Sequence, residues 1–262
     1  MFGGRVIATR IRSARSLSKV FVLTLLLSAT LFARVDAATN ATQNYLGLQG
    51  FALVGDHRDI AGEQHGLGGG VFLEARVGGP RVGFHFEGFP VVSVPQRSSA
   101  FYGAATPAVG IVDAAFRYTL DAGGRFTVGL GGVVINQRTP LPNISQVVSS
   151  RLTGVWAELV ARMPARGSRF YEANLSFAPH LTGTDHFLYS DGSPAVNKPE
   201  RASVVSASLG FGTRVRSNEL VVGLRAVNFS AQFTQTGESA DSNAGVGPFL
   251  EWRFGRAPAG AQ

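Results

Sequence analysis

The feature that most constrains the fold is a strict alternation of apolar with polar or small residues, which is clearest near the C-terminus. In residues 243–254, one face of an extended chain would carry Val246, Leu250, Trp252 and Phe254. The opposite face would carry Gly247, Glu251 and Arg253. A period of two residues is the mark of a β-strand whose two faces have different surroundings. Such a strand must pair with other strands, and its apolar face must meet either a protein core or lipid.

The same alternation recurs in about ten runs between Tyr45 and Phe254, and no amphipathic helix interrupts them. The runs are mostly longer than the ~5–6 residues of strands in soluble proteins and match the ~9–11 residues that cross a membrane. Short connections such as 78–80 and 121–124 alternate with long ones such as 55–65, 90–107 and 179–200. An up-and-down meander with one plain rim and one elaborated rim produces this alternation. Ten strands place both chain termini on the plain side.

The polar face carries charged residues of both signs in the middle of the runs. These residues are Asp113, Arg117, Glu158, Arg162, Glu172, Glu219, Arg225, Glu251 and Arg253. Glycines are interspersed among them, and only one Lys follows residue 19, whereas a solvent-facing β surface prefers Thr and Lys and is weakened by Gly. Paired Arg and Glu suit a crowded interior, so we predict a polar lumen and an apolar face toward lipid. In lipid the sheet must close, because an open edge leaves backbone groups without partners.

The N-terminus has the layout of a secretory signal peptide. A basic segment ends at Lys19, an apolar run covers residues 20–32, and small residues precede a cleavage point after Ala37. The apolar run is shorter than the ~20 residues that a membrane helix needs. Six of the 24 basic residues and one of the 17 acids precede residue 37, which leaves 18 bases and 16 acids afterwards. The net charge of +7 therefore belongs mostly to the leader and does not indicate a nucleic-acid partner.

Over residues 45–254 the chain resembles the outer-membrane β-barrel proteins of Gram-negative bacteria. The points of resemblance are the export leader, the long alternating strands, the alternating connections and a final strand that ends on Trp252 and Phe254. In that family the closing strand typically ends in an aromatic residue, most often Phe, which the barrel assembly machinery reads. Here eight residues follow Phe254. The resemblance implies a location in the bacterial outer membrane and contacts with its lipids, including lipopolysaccharide.

We therefore predict an all-β fold: a single up-and-down antiparallel transmembrane β-barrel of about ten strands. Residues 1–37 would form a cleavable signal peptide, residues 38–254 the barrel, and residues 255–262 a short tail. The strand with Val246, Leu250, Trp252 and Phe254 would close the barrel by pairing with the first run.

Candidate catalytic groups are few. Asp56 and His57 fall in the first long connection, and Asp185 and His186 in the fourth. Omptin-type proteases resemble this in outline, because they place acids and an Asp/His pair at the mouth of a ten-stranded barrel. In that family one residue separates the Asp and the His, whereas Asp185 and His186 are adjacent. No His is followed two residues later by Ser, which is the spacing of outer-membrane lipid hydrolases.

The expected function is that of a non-enzymatic outer-membrane barrel with a structural, surface-interaction or narrow passive pore role. Ten strands enclose little more than their own side chains, whereas aqueous porins use 16–18 strands. One alternative is a hydrolase at the rim, omptin-like or lipid-acting. Another is a soluble exported β-barrel that binds a small hydrophobic ligand. The sequence predicts no cofactor and no metal site, and it leaves the oligomeric state open.

Overall fold

The computed structural model describes residues 44–59, 62–79, 81–95, 108–121, 123–141, 146–188, 193–233 and 241–255. The predicted signal peptide and the tail after Gly255 lie outside this part of the chain. None of the described residues belongs to a helix that is long and apolar enough to cross a membrane.

The described residues form twelve β-strands. They are β1 (Tyr45–Asp59), β2 (Gly62–Gly78), β3 (Val82–Pro95), β4 (Ala108–Thr119), β5 (Phe126–Leu141), β6 (Gln146–Pro164), β7 (Arg169–Ala178), β8 (Leu181–Leu188), β9 (Pro194–Asn197), β10 (Pro199–Val215), β11 (Asn218–Phe233) and β12 (Asp241–Gly255).

The strands make one closed antiparallel sheet. The order around it is β5-β4-β3-β2-β1-β12-β11-β10-β7-β6, and β5 pairs with β6 to complete the circle. The first and last strands are neighbours, with Gly50 opposite Leu250. Strands β8 and β9 prolong β7 and β10 at the end of the barrel opposite to the start of β1 and the end of β12. The prediction of a ten-stranded up-and-down barrel is therefore confirmed.

A bulge separates β7 from β8. Ala157 of β6 lies opposite Phe177, and Gly154 lies opposite Leu181, so three residues on one strand face two on the other. Pro179 sits in this bulge and has no backbone N–H to donate to the ladder. The extra residue reverses which side chains point inward, because successive residues of a strand alternate between faces. In β7 the even-numbered residues point inward, whereas in β8 the odd-numbered residues point inward.

The strands extend further than the sequence pattern indicated. The long connections predicted at 55–65 and 179–200 are largely strand, because β1 continues to Asp59 and β8 and β9 occupy much of the second segment. Neighbouring strands can continue their antiparallel ladder beyond the apolar band, which satisfies backbone groups that a loop would leave to water. The result is a barrel that projects beyond its apolar band on the side of the long connections.

The outer surface of the barrel is an apolar band with polar residues above it. On β5 the outward side chains are Phe126, Val128, Leu130 and Val134, followed by the exposed Asn136. Eight residue steps from Phe126 to Val134 correspond to about 26 Å of strand, or about 20 Å of height at the usual tilt. This height is comparable with the ~25 Å apolar belt of membrane barrels.

The interior has two layers, which the sequence analysis did not separate. Toward the chain termini the lumen is charged, in line with the predicted polar face. Toward the other end it is filled by buried apolar side chains, including Ile111, Ile135, Leu152, Leu181, Val204 and Phe229. The expectation of a polar lumen therefore does not hold for this apolar layer, beyond which Gln137, Ser150 and Asp185 are again buried polar residues. A ten-stranded barrel is narrow enough for side chains from facing strands to meet and exclude water.

Candidate functional site in the lumen

The charged half of the lumen contains a chain of ion pairs and hydrogen bonds that crosses from strand to strand. Among the described residues of this half, six buried carboxylates and the partly buried Glu172 accompany four buried arginines. All nine residues predicted for the lumen network point into this half. The arrangement can be followed from β6 across to β12 and back to β6.

The first part of the network surrounds His85 of β3. Its Nδ1 lies 3.1 Å from Glu158 Oε1, and its Nε2 lies 2.9 Å from Glu74 Oε1. Tyr45 donates its hydroxyl proton to the same oxygen of Glu74. Asp113 Oδ1 lies 3.8 Å from His85 Nδ1, which is beyond hydrogen-bond distance. His85 is therefore a buried imidazole among carboxylates from three other strands.

Glu158 is held from two further directions. Arg117 donates from Nε at 2.6 Å, and the indole N–H of Trp156 donates to Oε1 at 3.2 Å. Gly129 lies opposite Glu158 on β5, and a Cβ at this position would come within 2.7 Å of Glu158 Oε2. The absence of a side chain at residue 129 makes the space in which the Arg117–Glu158 pair forms.

Arg253 of β12 connects the next carboxylates. Its guanidinium donates two bonds to Glu172, at 2.9 and 2.6 Å, and two to Glu251, at 2.7 and 2.9 Å. It also approaches Glu74 Oε2 at 3.8 Å, which joins it to the His85 group. Bidentate Arg–carboxylate pairs fix the orientation of both partners as well as their charge. Arg253 therefore couples the closing strand to β2 and β7.

Arg162 completes the circle on β6. It donates two bonds to Glu219 of β11, at 3.1 and 2.6 Å, and its guanidinium lies 3.6 Å from the ring centroid of Phe170. Gly212 lies directly against that ring, since a Cβ there would come within 2.2 Å of it.

Arg225 forms a second group of contacts across the lumen, closer to the apolar layer. It donates to Glu87, to Gln49 Oε1 at 3.2 Å and to Ser206 Oγ at 3.2 Å. Its guanidinium also lies 4.6 Å from the ring centroid of Phe72. These contacts join β11 to β3, β1 and β10 across the lumen. Phe72 marks the boundary between the charged half and the apolar half.

A small cavity remains among these charged groups. It holds about 40 Å³ of space for the centres of water molecules, enough for a few waters. Glu74, Glu87 and Arg253 line it, and Arg76 and Arg125 lie at its end near the short turns. The described lumen therefore has a polar recess that starts at this end and stops beneath the apolar half.

Of the acid and histidine residues considered as catalytic candidates, Asp185 and His186 do not converge on one site. Asp185 is buried inside β8 and accepts a hydrogen bond from Ser150 Oγ at 2.9 Å, whereas His186 is exposed on the opposite face beside Thr184 Oγ1. The bulge at Pro179 produces this arrangement by shifting the inward positions by one. Asp56 and His57 lie in β1, and their side chains lie outside the described part of the structure.

The closing strand β12 pairs with β1 on one side and with β11 on the other. Val246, Leu250 and Phe254 are exposed on the outer surface, and Trp252 is half-buried against Phe254, with ring centroids 6.3 Å apart. Glu251 and Arg253 point inward from the same strand.

Sequence reasoning missed the cluster around His85. His85, Glu74 and Glu87 each stand at inward positions of an alternating run, which is a signal that the sequence contains. Their contacts depend on the register of β2 and β3, which sets Arg76 opposite His85 and Glu74 opposite Glu87. They also depend on the contact across the lumen between His85 of β3 and Glu158 of β6. Period-two alternation gives the face of a side chain but not its height in the barrel.

No family model matches the chain, and no curated protein matches it either. Among solved structures, the outer membrane protease OmpT from Escherichia coli aligns with a TM-score of 0.50 at 9% identity, covering 84% of this chain and 99% of that one. Neisserial surface protein A aligns with a TM-score of 0.40 at 6% identity, covering 80% and 97%. The beta domain of the Bordetella autotransporter BrkA aligns with a TM-score of 0.38 at 12% identity, covering 81% and 99%. At these identities the similarity concerns the fold alone, and the chain has the fold of a Gram-negative outer-membrane β-barrel, closed by ten strands.

Proposed function

We propose that the protein is an integral outer-membrane barrel whose lumen is plugged by its own side chains. In this proposal it is exported by its N-terminal signal peptide and serves a structural or surface-interaction role rather than forming an open pore. The observation that carries the proposal is the layer of buried apolar side chains across the outer half of the lumen. Leu152, at 0% exposure, lies within that layer. Hydrated ions cannot cross a dry apolar layer that is packed to this extent.

Two further observations support the membrane location. The outer surface exposes large apolar side chains around the whole barrel, among them Phe116, Leu130, Val155 and Leu224. Such a continuous patch far exceeds what soluble monomers expose. A soluble exported barrel with a hydrophobic ligand has less support, because the interior that would hold the ligand is filled by core side chains.

The rim-hydrolase alternative also has less support. Asp185 and His186 point to opposite faces of β8, so they do not form an activated pair. The similarity to an outer membrane protease extends to the fold and brings no catalytic residues with it.

Single-cysteine labelling tests location and plugging together. The chain has no Cys, so each introduced thiol is the sole reactive one. Three variants are Asn136→Cys on the outer surface beyond the apolar band, Arg166→Cys in the turn between β6 and β7, and Leu152→Cys in the apolar layer. The reagent is a polyethylene-glycol maleimide that is too large to cross the outer membrane.

We expect Asn136→Cys to be labelled on intact cells and Arg166→Cys to be labelled only after the outer membrane is permeabilised. Leu152→Cys should react only after unfolding, and the folded wild-type barrel should show no stepwise conductance in planar bilayers. A chain recovered in the soluble periplasm contradicts the membrane location. Labelling of folded Leu152→Cys, or discrete channel openings, contradicts the plug.

A further inference from the structure

The cluster around His85 has the composition and spacing of a metal site. His85 Nδ1, Asp113 Oδ1 and Glu158 Oε1 lie within 4.8 Å of one another, and all three residues are buried. The distances from Nδ1 are 3.1 Å to Glu158 and 3.8 Å to Asp113. Ligands at about 2.0–2.2 Å around a tetrahedral zinc ion are roughly 3.4 Å apart, so the observed separations bracket the required value.

Asp113 supplies an observation that is independent of this spacing. Among the described residues, its Oδ1 is a buried side-chain oxygen without a hydrogen-bond partner, and the residue is 2% exposed. A buried carboxylate oxygen that accepts no hydrogen bond is unfavourable, because neither water nor a donor replaces the hydration it has lost. This oxygen is 3.8 Å from the imidazole, so a positive ion between them would satisfy it.

The local charges point in the same direction. Four carboxylates surround His85, namely those of Glu74, Glu87, Asp113 and Glu158. Three of these carboxylates have an arginine as an ion-pair partner. Arg117 pairs with Glu158, and Arg225 pairs with Glu87. Arg253 approaches Glu74. Asp113 is the carboxylate for which this set provides no arginine.

The surroundings of His85 Nε2 resemble those of the non-coordinating nitrogen in a metal-bound histidine. Its Nε2 lies 2.9 Å from Glu74 Oε1, a carboxylate that Tyr45 also holds. Metal-binding histidines usually donate their other N–H to a carboxylate, which fixes the tautomer and the ring orientation. A hydrogen on Nε2 leaves the Nδ1 lone pair directed at Glu158 and Asp113, where only a proton or a metal ion relieves the repulsion between the lone pairs. A proton on Nδ1 reaches Glu158 and leaves Asp113 Oδ1 without a partner, whereas a metal ion contacts all three groups.

We propose that His85, Asp113 and Glu158 bind a divalent transition-metal ion of the Zn²⁺ type inside the barrel, with Glu74 as the carboxylate that orients His85. One imidazole and two carboxylates form a donor set that zinc accepts. Glu74 and Glu87, which flank His85, also line the small cavity, so the cavity lies beside the proposed site. The ion would tie β3, β4 and β6 together through the lumen. The proposal does not depend on the plugged state of the apolar layer.

The test uses the full barrel, folded in detergent, stripped with a chelator and titrated with Zn²⁺ alone. We expect the wild-type protein to bind one equivalent. Asp113→Asn and His85→Gln each remove a proposed ligand, so each should weaken binding by at least the ~10–100-fold that the loss of an orienting carboxylate costs. Asp185→Asn is the matched control, since it removes the charge of another buried carboxylate of the lumen and should leave binding unchanged.

Urea unfolding gives a second readout that a protonated Asp113 would not produce. Without metal, Asp113→Asn should be at least as stable as the wild-type protein, because it removes one of four carboxyl groups crowded around His85, the one whose Oδ1 accepts no hydrogen bond. With Zn²⁺ the order should reverse, because only the wild-type site binds the ion. Wild-type protein that binds no Zn²⁺, or Asp113→Asn that binds it equally well, overturns the proposal. If His85→Gln fails to fold, Asp113→Asn decides the question, since its side chain keeps the same shape.

Discussion

Replacing Leu250 by Arg tests most directly which environment the barrel surface meets. Leu250 lies on the closing strand, opposite Gly50 of β1, and 54% of its surface is exposed. Outward apolar positions extend from Val246 to Phe254, so Leu250 stands at the centre of the band on this strand. A guanidinium at this height would be placed in the middle of the hydrocarbon layer.

The magnitude follows from that depth. The four residue steps from Leu250 to either end of the band correspond to about 13 Å of strand, or about 10 Å of height at the usual tilt. Arg at the midplane of a membrane barrel destabilises it by about 2–4 kcal/mol, and the penalty falls to about 0–1 kcal/mol near the interfaces. Ser242→Arg is the matched control, because Ser242 is on the same face of the same strand, eight residues further from the chain end and beyond the band.

The assay is reversible urea unfolding of the barrel in lipid vesicles, with heat-modifiable gel migration as a check of folding. We expect Leu250→Arg to lose about 2–4 kcal/mol of stability and Ser242→Arg less than about 1 kcal/mol. In a soluble barrel the exposed Leu250 would contact water, and an Arg there would be neutral or favourable. Equal effects of the two substitutions, or a neutral Leu250→Arg, would refute the assignment of the apolar face to lipid.

Two further predictions concern packing inside the lumen and are measured by the same urea unfolding. Arg117→Met should destabilise the barrel by about 3–5 kcal/mol, because it leaves Glu158 buried without its main counter-charge. The double variant Arg117→Met with Glu158→Gln should be more stable than Arg117→Met alone, and a double variant of equal or lower stability would show that the charge of Glu158 is not the cause. Gly212→Ala should lose about 1–3 kcal/mol because its methyl group overlaps the Phe170 ring, whereas Gly50→Ala has nothing within 4 Å and should be neutral or slightly stabilising. Combining Gly212→Ala with Phe170→Leu should recover part of the loss, and an equal loss in the combined variant would exclude this clash as the reason.

The alternation of residue types was sufficient to predict the fold class and the orientation of the two strand faces. It worked because each face of a membrane strand has one kind of surroundings over many residues, so each residue adds to the same periodic signal. Val246, Leu250 and Phe254 therefore pointed outward, and Glu251 and Arg253 inward, before any pairing was known. The number of strands followed from the alternating connections. The pairing of the first strand with the last followed because a sheet in lipid must close.

The boundaries between strand and loop were harder to predict. Polar segments such as 55–65 look like loops in the sequence, because composition does not distinguish a solvated ladder from a turn. The structure continues the ladder there, since the partner segment runs alongside in antiparallel register. A single residue at Pro179 decides that Asp185, rather than His186, faces the interior, and no local pattern in the sequence measures that shift.

The sequence by itself determined that this chain forms a membrane-type barrel with charges inside and apolar side chains outside. Only the tertiary structure decided which charges meet. Glu158, His85 and Glu74 come from three strands, and their contacts depend on register and on the curvature that brings β3 opposite β6. Alternation does not encode the height of a residue along the barrel axis. The apolar layer in the lumen and the position of Asp113 beside His85 therefore could not be predicted without the closed sheet.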